Sequence, residues 1–162
     1  MLGLYDNFPE NIHSIASFTF SVPSRKLQEK LVQVLYEMNS RAFNSEEIDQ
    51  RGLRECAIVF ETGVAESGSF NYLDEAEARK LQEVVKREPF RILDFFLSVR
   101  YYRINGEKKT PLRFDYFLVR TILKENFLEI RIFHERGPRY ISPEDIGNLL
   151  GERVKRAYRG KP

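Results

Sequence analysis

Between Arg91 and Ile122 the chain alternates twice around one dipeptide. Leu93, Phe95, Leu97 and Val99 are interleaved with Asp94, Phe96, Ser98 and Arg100; Leu112, Phe114, Tyr116 and Leu118 are interleaved with Arg113, Asp115 and Phe117. Asn105-Gly106 stands between the two stretches, and a two-residue type I′ turn favours this pair because both of its central residues need positive φ. Folding the chain there sets Val99 against Leu112, Leu97 against Phe114, Phe95 against Tyr116 and Leu93 against Leu118. Ser98 then meets Arg113, and Phe96 meets Asp115, on the other face. A slip of one residue would turn every apolar side chain over. The pattern therefore predicts a long hairpin over 91–122 and requires a sheet with one buried face.

The flanking segments supply that face with a cover. His13 to Val22 reads as a half-buried strand with Ala16, Phe18, Phe20 and Val22 inward. Ser24 is a candidate N-cap for a helix whose apolar face is Leu27, Leu31, Val34, Leu35 and Met38. Asn44 and Glu47 form a capping-box pattern for a short helix near 45–51. Cys56 to Val64 and Ser69 to Leu73 read as strands, and Asp74 with Glu77 opens a helix over 75–88 that Glu88-Pro89 ends. Leu128 to His134 is a further strand. Its apolar residues Leu128, Ile130 and Ile132 match the odd positions of the preceding strand rather than the even ones, so a bulge or a doubly covered strand is required. Ser142-Pro143 starts a last helix over 143–158. The order β-α-(α)-β-β-α-β-β-β-α gives an α+β class: a mostly antiparallel sheet with helices packed on one face. We read residues 1–162 as a single domain with an irregular segment at 1–12 and a basic tail at 159–162. The pentapeptide Arg25–Glu29 recurs as Arg79–Glu83; these are common helix residues and the match does not extend.

Composition narrows the function classes. One cysteine in 162 residues excludes an internal disulfide framework and a Cys-based zinc ribbon. No apolar run approaches the roughly 18 residues that span a bilayer, and the first residues carry no signal-peptide pattern. A cytoplasmic protein with no membrane association is expected. The chain has 18 Glu and 17 Arg against 4 Gln and 2 Met, a thermophile-like balance. No phosphate-cradling glycine motif, metalloprotease motif or nucleophile elbow is present. His13, His134 and Cys56 have no metal-ligand spacing, and no cofactor or metal is implied. Cys56, in a strand, reads as a core residue rather than the nucleophile of a Cys56–His134 pair.

The positive charge is concentrated. Residues 100–113 and 151–162 each carry a net +4, whereas the whole chain carries +2, so the remainder is net −6. Arg136 and Arg139 flank Gly137-Pro138. A basic hairpin holding Tyr101 and Tyr102 suits RNA or single-stranded DNA, with cations on phosphates and rings on bases. The candidate contacts are Arg100, Tyr102, Arg103, Lys108, Lys109 and Arg113, assisted by Arg153, Lys155, Arg156 and Arg159. Tyr101 falls on the face of Leu97 and Val99 and so is also a core candidate. A second reading is a homodimer or adaptor subunit that binds a protein partner through an apolar stripe of Phe96, Phe117 and Val119 opposite the helices. A third is a small enzyme using Asp94, Asp115, Arg100 and Arg113 on one sheet face. The sequence leans toward a non-catalytic binding role.

Overall fold

The computed structural model describes residues 1–39, 42–44 and 56–159, and its spine is the long hairpin. Strands β5 (Ile92–Asn105) and β6 (Lys108–Lys124) pair from their shared turn to their far ends. A turn at Glu125-Asn126, with Asn126 at φ 60°, leads into β7 (Phe127–Arg136). Strand β1 (Ser14–Thr19) pairs with β7. On the other side β3 (Cys56–Glu66) pairs with β5, and β2 (Ala42–Asn44) and β4 (Ser69–Tyr72) pair with β3. Among the described residues the result is one seven-stranded antiparallel sheet in the order β1-β7-β6-β5-β3-β2, with β4 attached to β3. The α+β class and the antiparallel sheet follow the sequence expectation. Strand β2 does not: its end at Asn44 replaces the proposed cap, and the short helix expected near 45–51 lies outside the described residues.

Among the described residues, three helices cover one face. The apolar positions of α1 (Ser24–Met38), Leu27, Leu31, Val34, Leu35 and Met38, are all buried. Ser24 is the first helical residue rather than the cap, which is Pro23. The Ser24 hydroxyl instead accepts from Gln28 Nε2 (3.1 Å). Gln28 is fully buried, and its amide grips the backbone of Phe90, donating to the carbonyl and accepting from the N–H at 2.7 Å each. That clamp ties α1 to the segment after α2 (Glu75–Arg87). Asp74 caps α2 by accepting from the Glu77 N–H (2.9 Å). Ser142 caps α3 (Pro143–Arg159) by accepting from the Asp145 N–H (3.0 Å). Helix α3 lies close against β1. A Cβ on Gly147 would sit 3.4 Å from that of Ala16, and one on Gly151 would overlap the Phe18 ring. Among the described residues no helix is long and apolar enough to cross a membrane.

The hairpin turns one residue later than expected, and the register follows. Asn105 pairs with Lys108, so the loop is Gly106-Glu107. Gly106 has φ 67° while Asn105 and Glu107 do not take positive φ, which places glycine first in the loop as a type II′ turn requires. A bulge between Arg100 and Tyr102 shifts the pairing once more. Leu97 now faces Phe117, Phe95 faces Val119, Leu93 faces Thr121, and Val99 faces Asp115. The total slip is odd, so β6 presents the opposite face from the one expected. The same bulge reconciles β7: Leu128, Ile130 and Ile132 stand against Leu123, Thr121 and Val119. Two expectations fall with the register. Phe117 and Val119 are 0% and 1% exposed in the core under the helices, so they are not an interface stripe with Phe96. Asp94 and Asp115 lie on opposite faces of the sheet, so they do not form one acid–arginine cluster.

Candidate nucleic-acid interface

The face without helices is crossed at one end by the N-terminal segment. Gly3 donates to the Ala65 carbonyl (2.7 Å) and accepts from the Asp94 N–H (2.7 Å), bridging the gap where β3 diverges from β5. Tyr5 N–H donates to Asp94 Oδ2 (2.8 Å), and Arg120 donates to both Asp94 oxygens at 2.9 Å. The Phe8 ring covers the Arg120 guanidinium at 4.4 Å. Asp94 is thus a fully buried, ion-paired anchor for residues 1–8.

A row of aromatic rings starts at that anchor and crosses the open face. Ring centroids are 4.7 Å apart from Tyr5 to Phe70, 5.5 Å from Phe70 to Phe96, 5.1 Å from Phe96 to Tyr116, and 4.9 Å from Tyr116 to Phe114. The row ends at Phe114, which is 43% exposed and pairs with Arg100 across the ladder. Phe96 is therefore one ring among five rather than the edge of an apolar patch. Sequence reading missed Phe114 and Tyr116 as surface groups because the expected register put both into the core.

The basic hairpin projects from the end of this row. Arg100, Arg103, Lys108, Lys109 and Arg113 are exposed and Tyr102 is half-buried. Beyond Tyr116, β6 has no partner in β7, and below the 137–141 turn that packs on Phe114 and Asp115 residues 108–113 form the flank of the ribbon. Strand alternation puts Arg100, Tyr102 and Lys109 on the side of Phe114 and Tyr116, and Arg103 and Lys108 on the other side. Arg113 lies at the bulge. Arg100 also pairs with Glu61 (3.2 Å) on this face. Both groups are substantially exposed, a setting in which an ion pair is worth at most about 1 kcal/mol. Arg136, at the end of β7, is in register with Tyr116. It adds a cation beside the rings that was not among the sequence-derived contacts.

The basic C-terminal residues are elsewhere. Helix α3 starts next to Asp115 and runs past Ala16 and Phe18, so its end is about 25 Å away along its axis. Lys155 Nζ sits 5.2 Å over the Phe18 ring, and Arg153 and Arg156 share that end of the helix layer. The side chain of Arg159 lies outside the described residues. The structure therefore brings the hairpin cations together with the ring row and leaves Arg153, Lys155 and Arg156 at the opposite end, on the other face.

Asp115 belongs to a different device. It is fully buried and accepts four hydrogen bonds: from Tyr101 Oη (2.6 Å), His134 Nε2 (2.8 Å), Arg139 N–H (2.7 Å) and Tyr140 N–H (3.0 Å). Tyr101 is 1% exposed, a core residue as its alternation suggested. The backbone N–H of His134 donates to His13 Nδ1 (2.8 Å). Desolvation, then the nearby Arg139 and His134, hold the His13 imidazole below its ordinary range. The clamp fastens the 137–141 turn over the sheet and uses every acceptor of the carboxylate internally. Cys56 starts β3, three strand spacings across the sheet from His134 and several residues farther along it, so well over about 14 Å away, which leaves no Cys–His pair.

The clamp predicts a pH signature. Burial, and then the hydrogen bond to Asp115, push the Tyr101 phenol above its ordinary value of 10.0. A group with a raised folded-state pKa contributes its full stability below the unfolded value and loses it as pH rises further. Wild type is expected to lose stability to urea above pH 10 more steeply than Tyr101→Phe; parallel curves for the two proteins between pH 9 and 11 would show that Tyr101 is not held neutral by folding. No known protein family, curated protein or solved structure matches this chain, so the reading of the ring row and hairpin rests on their own chemistry.

Proposed function

We propose that this protein binds RNA or single-stranded DNA, without catalysis, through the basic β-hairpin and the open sheet face at its root. The observation that carries the reading is the meeting of two features at Phe114. A continuous row of five rings ends where a ribbon of net charge +4 begins. Cations on a projecting ribbon attract the phosphate backbone through counterion release, and aromatic faces suit unpaired bases. Two charge pairs lie on this face away from the hairpin, Asp94 with Arg120 and Glu129 with Arg131. The contiguous positive charge of the hairpin stands next to the rings. The Arg–Asp enzyme reading has no comparable support, because its two acids are on opposite faces and Asp115 is consumed by its four donors.

Fluorescence anisotropy with a short labelled oligonucleotide, titrated at several salt concentrations, tests the proposal. Affinity is expected to fall linearly in log salt, as release of counterions from several phosphates requires. Lys108→Glu with Lys109→Glu removes two exposed phosphate contacts. This double variant is expected to bind about tenfold more weakly and to flatten the slope by about 1.4, at about 0.7 per phosphate on a single strand. Its thermal stability should be unchanged, since both side chains are exposed. Absence of binding at low salt, together with a sedimentation mass above that of the monomer, would replace this reading with a protein–protein one.

A further inference from the structure

We infer that Phe114 and Tyr116, bracketed by Arg100 and Arg136, form a base-stacking platform that selects single-stranded over double-stranded nucleic acid. The inference rests on the nucleic-acid reading above and names the group on the ligand that this part of the surface recognises. Phe114 and Tyr116 are alternate residues of β6, so both rings stand on the same face of one strand. Their centroids are 4.9 Å apart with planes inclined by 54°, so each ring keeps a separate face instead of stacking on its neighbour. Phe114 is 43% exposed, so much of its ring is open to a ligand.

The ladder sets one arginine beside each ring. Arg100 is opposite Phe114 on β5, and Arg136 is opposite Tyr116 on β7. A backbone crossing the strands here would pass a guanidinium at each ring, matching one phosphate to one base twice over. Arg100 is already oriented on this face by Glu61. The occupant this arrangement fits has a negative charge and a planar aromatic group in each repeating unit. A duplex keeps its bases stacked inward and could offer only phosphates, whereas an unpaired strand offers both. The bulge between Arg100 and Tyr102 makes the platform possible, because without it the even residues of β6 would not reach this face.

The chain has no tryptophan, so Phe114→Trp installs a single indole at the platform. Adding a short single-stranded oligonucleotide is expected to quench that emission; the same oligonucleotide annealed to its complement is expected to bind through phosphates with little quenching. In the anisotropy assay, Phe114→Ala should weaken single-strand binding about tenfold, leave duplex binding unchanged and keep the salt slope. Arg136→Ala should lower the slope by about 0.7 for single strands. Phe114 is exposed enough that its alanine variant should fold, and a thermal melt confirms it. Equal affinity of Phe114→Ala and wild type for single strands, or equal quenching by duplex, overturns the platform. If Lys108→Glu with Lys109→Glu still weakens binding in that case, the phosphate-binding hairpin survives without it. Absence of binding of any oligonucleotide by wild type removes both.

Discussion

Replacing Asp115 with alanine is expected to destabilise the protein by about 3–5 kcal/mol, because several buried donors lose their acceptor at about 1–3 kcal/mol each. The carboxylate has no solvent exposure and takes four donors from three parts of the chain: Tyr101 on β5, His134 on β7, and the backbone of Arg139 and Tyr140. Alanine leaves all four without this acceptor. Asparagine is expected to do little better. Its single oxygen can serve one side of the clamp, while its amide group would turn donors toward donors. For a chain of this length the alanine loss corresponds to a fall in melting temperature on the order of 10 °C. Urea denaturation of the two variants beside wild type measures it. A loss below 1 kcal/mol for Asp115→Ala would mean that the clamp does not hold the turn.

That clamp also explains which parts of the structure could be read from the sequence. The strands β5 and β6, the buried face of α1, and the caps at Asp74 and Ser142 depend on local alternation and on residues within one turn of each other, and they stand as the pattern implies. The hairpin register depends on two choices that local pattern does not make. One is whether Asn105-Gly106 or Gly106-Glu107 forms the loop, a difference of one residue between two glycine-compatible turns. The other is the bulge after Arg100, which turns Asp115 inward to partners 14 to 25 residues away in sequence. Alternation alone made Asp115 a surface acid and Phe114 and Tyr116 core rings, and the bulge reverses all three. The parity of Leu128, Ile130 and Ile132 did signal that a bulge was needed, but not which strand held it. The candidate site was legible in its charges, since Arg100 through Arg113 are contiguous. Its ring row was not, because Tyr5, Phe70, Phe96 and Tyr116 come from four separate segments that only the sheet order brings together.

Gly137→Ala is expected to destabilise by about 3 kcal/mol and, on the proposed function, to weaken single-strand binding as well. Gly137 has φ 116°, a conformation that costs an L residue about 1–3 kcal/mol. A Cβ there would also collide with the Asp115 carboxylate and the Phe114 carbonyl oxygen and lie 2.8 Å from Asp115 Cα. These are backbone and clamped atoms with no room to give, so a further 1–3 kcal/mol of overpacking is expected. Relief requires moving either the 137–141 turn, which breaks the donors to Asp115, or the β6 backbone at Phe114 and Asp115. Because both routes act on one clamp, combining Gly137→Ala with Asp115→Ala should cost clearly less than the two separate losses. The second route displaces Phe114 from its place beside Arg100, so the affinity for a single strand should fall even where the variant is fully folded. Leu31→Ala, in the α1 core with no exposure, provides the contrast. It should lose about 2–5 kcal/mol by leaving a cavity, yet bind like wild type at temperatures where it is folded. Equal affinity of Gly137→Ala and Leu31→Ala would show that the turn and the ring platform are mechanically independent.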